Sequence, residues 1–318
     1  MQIKLWGVRG SLPSPLSNDE YKSKMQRILK IAAEQKIQPD DILPFMDSLS
    51  DELKFIFGGD TTCATVQSAS GKTYIIDCGT GIRRLGNDLM EKDCGKGKGI
   101  LDIFLTHNHW DHIQGLPFFR PIYVPGNIIN FYSPFKHQQQ ILENQMKAPY
   151  FPAKFEDSPS IKQYHYIEPV PGNTIQLEPD LHISIYPMKH PQGCFAYKFS
   201  QGGKIFIFAT DTEFTGEAIE NRSDIRDFFN NADLLVLDSQ YTLDEAFLKV
   251  DWGHTSYTMA VNCATNWNVK KLVLTHHEPA YSDDILYENY LLALEHARLL
   301  NNDITQIYLA REGMVFDL

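Results

Sequence analysis

A chain of 318 residues, 43% hydrophobic and 12% aromatic, carries enough apolar side chain for one large core or two modest ones, which points to an ordered globular protein. No apolar run approaches the roughly 18 to 20 residues of a membrane helix, and Met1 leads directly into IKLWGV rather than a signal segment, so a cytoplasmic protein without a membrane partner is expected. A net charge of −11 argues against a broad basic face for extended nucleic acid, while bound divalent cations would reverse the sign locally and admit a small anionic substrate.

In chain order, QIKLWGV reads as an edge-like strand, and Leu16 to Lys54 follows as a polar insertion with helical period (YKSKMQRILKIAAEQ, then PDDILPFMDSL). CATVQSASGKTYIID gives two strands joined by a Ser-Gly-Lys turn, and ILDIFLTH is a mostly apolar strand. Pro134 to Pro171 mixes proline, aromatic and charged residues without a clean period and is expected to overhang the core as a lid or dimer loop. A second set of strands comes next. LHISIYPM alternates in part, FAYKFSQGGKIFIFATD is a hairpin around Gly202 and Gly203, and ADLLVLDS and KKLVLTH are buried strands. Helical patterns cover Glu217 to Asn230, Ser256 to Asn266 and Asp284 to Leu300. The five cysteines (Cys63, Cys78, Cys94, Cys194, Cys263) are odd in number and lack CxxC spacing, so they predict neither a disulfide framework nor a thiolate zinc knuckle.

The chemistry begins where ILDIFLTH ends. LTHNHWDHIQG places three of the chain's 11 histidines and an aspartate within six residues: His107, His109, Asp111 and His112. In extended chain, residues i and i+2 share a side, so His107 and His109 can address one metal while Asp111 and His112 address a second. Imidazoles and carboxylates without thiolates suit zinc, manganese, iron or nickel. One cluster cannot close two sites, because each metal takes roughly three protein ligands. Three further strand ends supply candidates: His190 after YPMK, Asp211 after IFAT and His276 after LVLT.

This pattern resembles the metallo-β-lactamase fold superfamily, in the branch of phosphodiesterases and RNase Z-type nucleases. THNHWDH matches its HxHxDH motif, Asp77 in IIDCGTG its structural aspartate, and His190, Asp211 and His276 its later ligand positions in order. The resemblance covers nearly the whole chain apart from the two insertions. It implies one α/β domain over residues 1–318, a four-layer αββα sandwich of two face-to-face sheets with helices outside and a dinuclear site at one edge. It further implies two divalent ions, zinc first with manganese or iron as alternatives: His107, His109 and His190 on one, Asp111, His112 and His276 on the other, and Asp211 bridging. His137, His165 and His182 are the rivals of His190. His277 rivals His276, with an outer or solvated role expected for it.

ADLLVLDSQY followed by DWGHTSYTMA resembles the acidic-residue and histidine pair of RNase Z-type phosphodiesterases, mapping onto Asp238 and His254. Their implied role, with Asp111 completing the catalytic set, is protonation of the leaving oxygen by His254, oriented by Asp238. Asp stands where the family would place Glu, and capping of the helix near Thr255 is the plainer role for His254. A homodimer is also implied. For substrate, KLWGVRGSLPSP, FGGDTTC and WDHIQGLPFF resemble bacterial and phage proteins that hydrolyse cyclic nucleotides and related cyclic phosphates. A tRNA 3′-processing endonuclease is the alternative. Against it, the second insertion balances Lys136, Lys147, Lys154 and Lys162 with Glu143, Glu156, Asp157 and Glu168 instead of forming a basic arm. A thioester or lactone hydrolase is the third reading and needs no Asp238–His254 pair. Phe131, Tyr132, Phe135, Tyr150 and Phe151 either stack on a base or pack their loop down, and Arg9, Arg83 and Arg84 either meet a phosphate or pair structurally.

Overall fold

The computed structural model describes residues 1–170 and 172–318; Pro171, the last residue of the second expected insertion, lies outside the described residues. Strands β1 (Gln2–Gly7), β2 (Cys63–Gln67), β3 (Thr73–Ile76), β4 (Ile100–Phe104), β5 (Ile128–Ser133) and β6 (Ile161–Tyr166) belong to one sheet. A second sheet holds β7 (Thr174–Glu178), β8 (Leu181–Met188), β9 (Cys194–Gln201), β10 (Lys204–Ala209), β11 (Leu234–Asp238), β12 (Lys271–Thr275) and β13 (Gln306–Leu309). The C-terminal β14 (Val315–Asp317) returns to the first sheet, giving the orders β14-β1-β2-β3-β4-β5-β6 and β13-β12-β11-β10-β9-β8-β7.

Helices α1 (Asn18–Glu34), α2 (Ile42–Ser48) and α3 (Asp51–Lys54) fill the first insertion. On the first sheet lie α4 (Ile82–Met90), the single turn α5 (Trp110–Ile113) and α6 (Gln138–Gln145). The second sheet is covered by α7 (Gly216–Asn221), α8 (Ser223–Phe229), α9 (Leu243–Leu248), α10 (Tyr257–Asn266) and α11 (Asp283–Leu299). None of them is long and apolar enough to cross a membrane.

Three apolar clusters make the four layers. Between the sheets, Ile3, Val66, Phe104, Tyr197, Phe206 and Val236 interlock. Outside the first sheet, Leu85, Ile103, Phe119 and Ile129 pack together, and outside the second, Leu237, Ala260, Trp267 and Leu272 do so. Strands β10, β11 and β12 are therefore covered on both faces, which is why they read as continuous apolar runs. Phe104 sits at the centre, fully buried, with edge-on contacts to Tyr197 and Phe199. Phe104→Ala is expected to cost about 3 to 5 kcal/mol, read from the urea midpoint, because two rigid sheets cannot collapse into the space left.

Strands β3, β4, β5 and β6 run parallel, as do β10 through β13. Since β8 and β10 both run antiparallel to β9, β8 shares the direction of β10. The C-terminal ends of β8, β10, β11 and β12 thus open at one edge of their sheet.

Four expectations are corrected. β1 is not an edge strand: β14 pairs with it from Gln2↔Asp317 to Lys4↔Val315, through a segment too short to carry a periodic signal. The stretch from Pro134 does not simply overhang the core, because it contains α6 and β6, and β6 extends the first sheet in register with β5. Its sequence IKQYHY is exposed or half-buried throughout, so no apolar alternation marked it. The expected helix over Glu217 to Asn230 breaks at Arg222, whose backbone is extended and whose guanidinium forks onto Asp224 at 2.8 and 2.6 Å. His277 is not solvated; it is buried and its Nε2 donates to the Ala310 carbonyl at 2.9 Å. Burial, aided by the nearby Arg9 charge, pushes its pKa down to about 3.

Candidate metal centre

Beyond β4 the chain makes Leu105 and Thr106, then turns, and Asp77 at the end of β3 fixes that turn. Its Oδ1 accepts the Thr106 N–H and its Oδ2 the Thr106 hydroxyl, both at 2.8 Å. The same Oδ2 accepts Nδ1–H of His112 at 2.8 Å, leaving Nε2 of that ring directed inward. Asp77, Asp211 and His276 all adopt left-handed backbone (φ 60°, 59° and 63°), Asp77 and His276 immediately after β3 and β12 and Asp211 separated from the end of β10 by Thr210. Strained non-glycine residues at three strand ends are held there by their surroundings, and such strain concentrates at functional sites.

Two donor groups result. His107, His109 and His190 bring ring nitrogens within 4.8 Å of one another, and Asp111, His112, Asp211 and His276 form the second group by the same measure. Asp211 stands between them: Oδ1 lies 3.7 Å from His107 Nε2, 3.8 Å from His190 Nε2 and 3.3 Å from His276 Nε2, while Oδ2 is 3.0 Å from His112 Nε2. Asp111 Oδ2 lies 3.3 Å from both His112 Nε2 and His276 Nε2 and accepts the Ser11 N–H at 2.8 Å. All seven predicted ligands are thus brought together. His137, His165 and His182 join neither group, and His165 stacks on Tyr132 instead.

The donor set fits divalent cations. Five imidazoles converge on two carboxylates, yet His107 Nε2 is buried without a hydrogen-bond partner, and His112 Nε2 and Asp211 Oδ2, though 3.0 Å apart, are not aligned for one. His190 Nε2 faces His109 Nδ1 at 3.0 Å, nitrogen against nitrogen. Groups left unpaired in this way cost stability unless something binds them. Nitrogen and oxygen donors without thiolate are the set that zinc, manganese or iron takes. Burial and the charge on His112 push His107 well below its ordinary pKa. Burial alone would raise Asp211, but the facing His112 and His276 outweigh it and hold the carboxylate ionised.

Each inward ring nitrogen depends on what its other nitrogen bonds. His190 Nδ1 donates to the Gly253 carbonyl at 2.9 Å, and Gly253 (φ +86°) allows no side chain, since a Cβ would stand 2.3 Å from that nitrogen. His109 Nε2 donates to Gln192 Oε1 at 2.8 Å. Gln192, Gly253 and Thr106 carry no sequence signal beyond turn-like or polar character, because their role exists only once distant strand ends meet. Orienting partners of this kind set metal affinity. Gln192→Ala is expected to weaken metal retention about tenfold against a competing chelator, with unchanged circular dichroism.

Beside the centre, His254 Nδ1 donates to Asp238 Oδ2 at 2.8 Å, so the shorter aspartate does reach the imidazole. Asp238 is fully buried at the end of β11 and also accepts the N–H groups of Asp211, Gln240 and Thr255. Burial opposes charging of His254, but Asp238, then Asp211 and Asp111, overcome it and push its pKa up to about 9. Cations in the centre would neutralise the last two and leave Asp238 as its principal partner. Arg9 and Arg84 are structural. Arg9 donates to the carbonyls of Gly58, Glu278 and Tyr281, and Arg84 pairs with Asp60 and Glu312.

The sequence matches the family described as Beta-lactamase superfamily domain over residues 72–277, an interval that takes in Asp77 and every residue of both donor groups. A ribonuclease Z from Prochlorococcus marinus (strain MIT 9515) is 25% identical, with 77% of this chain and 89% of that protein covered. The metallo-beta-lactamase fold protein YhfI from Bacillus subtilis superposes with a TM-score of 0.64 at 16% identity, covering 99% of this chain and 98% of that one. A diphosphatase of the PhnP family superposes with a TM-score of 0.56 at 17% identity, covering 100% of this chain and 97% of that one. Both structures share the αββα sandwich.

Proposed function

From the premise that this chain belongs to the beta-lactamase superfamily and is a metal-dependent hydrolase, we propose that it is a phosphodiesterase that opens small cyclic nucleotides or related cyclic phosphates. The observation that carries the reading is His254, held by Asp238 at the rim of the donor groups and lining a cavity of about 420 Å³ with Asp111, Asp211 and His276. An alkoxide is a poor leaving group and needs a proton, whereas a thiolate does not, so a buried, oriented imidazolium supports ester oxygen as the departing atom.

His107, His109 and His190 would hold one cation and Asp111, His112 and His276 the other, with the Asp211 carboxylate common to both. When bound, the pair supplies Lewis acidity toward water and the phosphoryl oxygens. The protein's own groups do the rest. Asp238 accepts Nδ1–H of the His254 imidazolium, so the Nε2 proton is the one free to pass to the departing ribose oxygen, leaving the neutral Nδ1–H tautomer behind. The Ser11 N–H holds Asp111 in place, and the Asp77 network fixes the His112 ring.

Similarity to a ribonuclease Z supports a tRNA 3′-processing endonuclease as the second reading. Against it stand the net charge of −11 and the second insertion, where Lys162 is spent on the carbonyls of Ser158 and Ser160. The test is hydrolysis of 3′,5′- and 2′,3′-cyclic mononucleotides, cyclic dinucleotides and a tRNA precursor by metal-loaded protein. Opening of a cyclic nucleotide is expected. Cleavage of the tRNA precursor alone would establish the second reading, and inertness toward the whole panel would turn attention to thioesters and lactones.

A further inference from the structure

Within HNHWD the proposed ligands His107, His109 and Asp111 are interleaved with Asn108 and Trp110, and Trp110 opens the single turn α5. Asn108 and Trp110 both line the cavity above the centre. Trp110 is 78% exposed, although it stands between two proposed ligands, His109 and Asp111. The other lining groups are Ser11, Asn108, His254 and proposed ligands, all polar, so the indole is the one large apolar surface facing the cavity among the described residues. An exposed indole beside such a site contributes nothing to the core, and its neighbours fix the backbone that presents it.

The aromatic residues of β5 and the second insertion that the sequence singles out do not compete for the role. Phe131 is fully buried, Tyr132 stacks on Phe104, Phe135 packs edge-on to Phe195 and Phe151 edge-on to Phe118. Tyr150 is exposed but does not line the cavity. Beside Trp110, Asn108 is oriented. Its Oδ1 accepts Gln138 Nε2–H at 2.7 Å, and Gln138 Oε1 accepts the Ser133 hydroxyl at 2.7 Å. The Asn108 amide N–H groups are consequently left without a partner among the described residues.

We infer that Trp110 is the platform on which the base of a nucleotide substrate stacks, and that Asn108 offers its amide to the base edge. The inference rests on the phosphodiesterase reading and adds the recognition element that reading lacks. The cations and His254 serve the phosphodiester, and neither distinguishes a nucleotide from a bare sugar phosphate. An aromatic plane does, because every base presents a π-face to it.

The experiment compares kcat/KM for a purine 3′,5′-cyclic mononucleotide with that for a base-free cyclic ribose phosphate, in wild type, W110A, W110F and N108A, with bound metal measured on each protein. The expected result is that W110A lowers the ratio of nucleotide to base-free substrate by about tenfold to a hundredfold, mainly through KM, while W110F restores most of it. N108A shifts the preference among bases. Equal losses on both substrates in W110A, or no loss on either, would overturn the inference. If wild-type protein opens neither substrate, the phosphodiesterase reading fails by itself, and indole fluorescence then judges Trp110. Titration with a purine nucleoside monophosphate against ribose 5-phosphate, wild type minus W110F, sustains the platform if only the nucleotide quenches. No difference between the two titrants overturns it.

Discussion

Asp211→Asn protein is expected to bind no more than one divalent cation per chain and to lose about a thousandfold or more in turnover, since the cation pair supplies several kcal/mol of transition-state stabilisation. The asparagine variant is the sharper one. Position 211 is left-handed, a conformation that asparagine tolerates and alanine resists, so the backbone after β10 survives while the shared carboxylate disappears. The Asp211 N–H still donates to Asp238, which keeps the end of β11 in place. Metal content by elemental analysis and turnover on the best substrate of the panel check the result together. Two cations retained with full activity would remove Asp211 from the centre.

His254→Ala is expected to lower kcat by about 10² to 10⁴-fold while both cations stay bound, the range for a positioned general acid. The dependence on the leaving group separates this from structural damage. On a p-nitrophenyl phosphodiester, whose leaving group departs without a proton, the loss should be small; on a cyclic nucleotide it should be large. Metal content must be followed because the His254 ring also lies within donor distance of His190 and Asp211, and of Asp238 and His276. Loss of a cation from the variant would make His254 a ligand and not the acid. Asp238 keeps its three backbone donors in this variant, so the fold should persist.

The clustering of the seven donors was largely legible in the sequence because they stand at or just beyond strand ends. An apolar run followed by His or Asp marks both an element and its C-terminal edge, and His107, His190, Asp211 and His276 all sit at such junctions. The pairing of Asp238 with His254 was legible as types and order but not as distance, which depends on the close approach of β11 and the loop before α10. What escaped is of two kinds. Short or half-exposed strands, β14 and β6, have no apolar period and exist because a neighbouring edge offers hydrogen bonds. Gln192, Gly253 and Ser11 act through single contacts with residues 83, 63 and 100 positions away, which no local pattern encodes. His277 is buried and not solvated because its imidazole serves a backbone carbonyl in the interior, a use that leaves no trace beside the histidine preceding it. Trp110 was in view throughout as part of HNHWD, but only its exposure in the fold distinguishes it from a core aromatic.

The most direct test of the dinuclear account is a titration of metal-stripped protein with zinc, following bound metal and hydrolysis of a 3′,5′-cyclic mononucleotide in the same samples. Activity is predicted to be absent from the stripped protein and to reach its plateau at two equivalents per chain, one for each donor group. A plateau at one equivalent, or hydrolysis by protein that holds no metal, would contradict it.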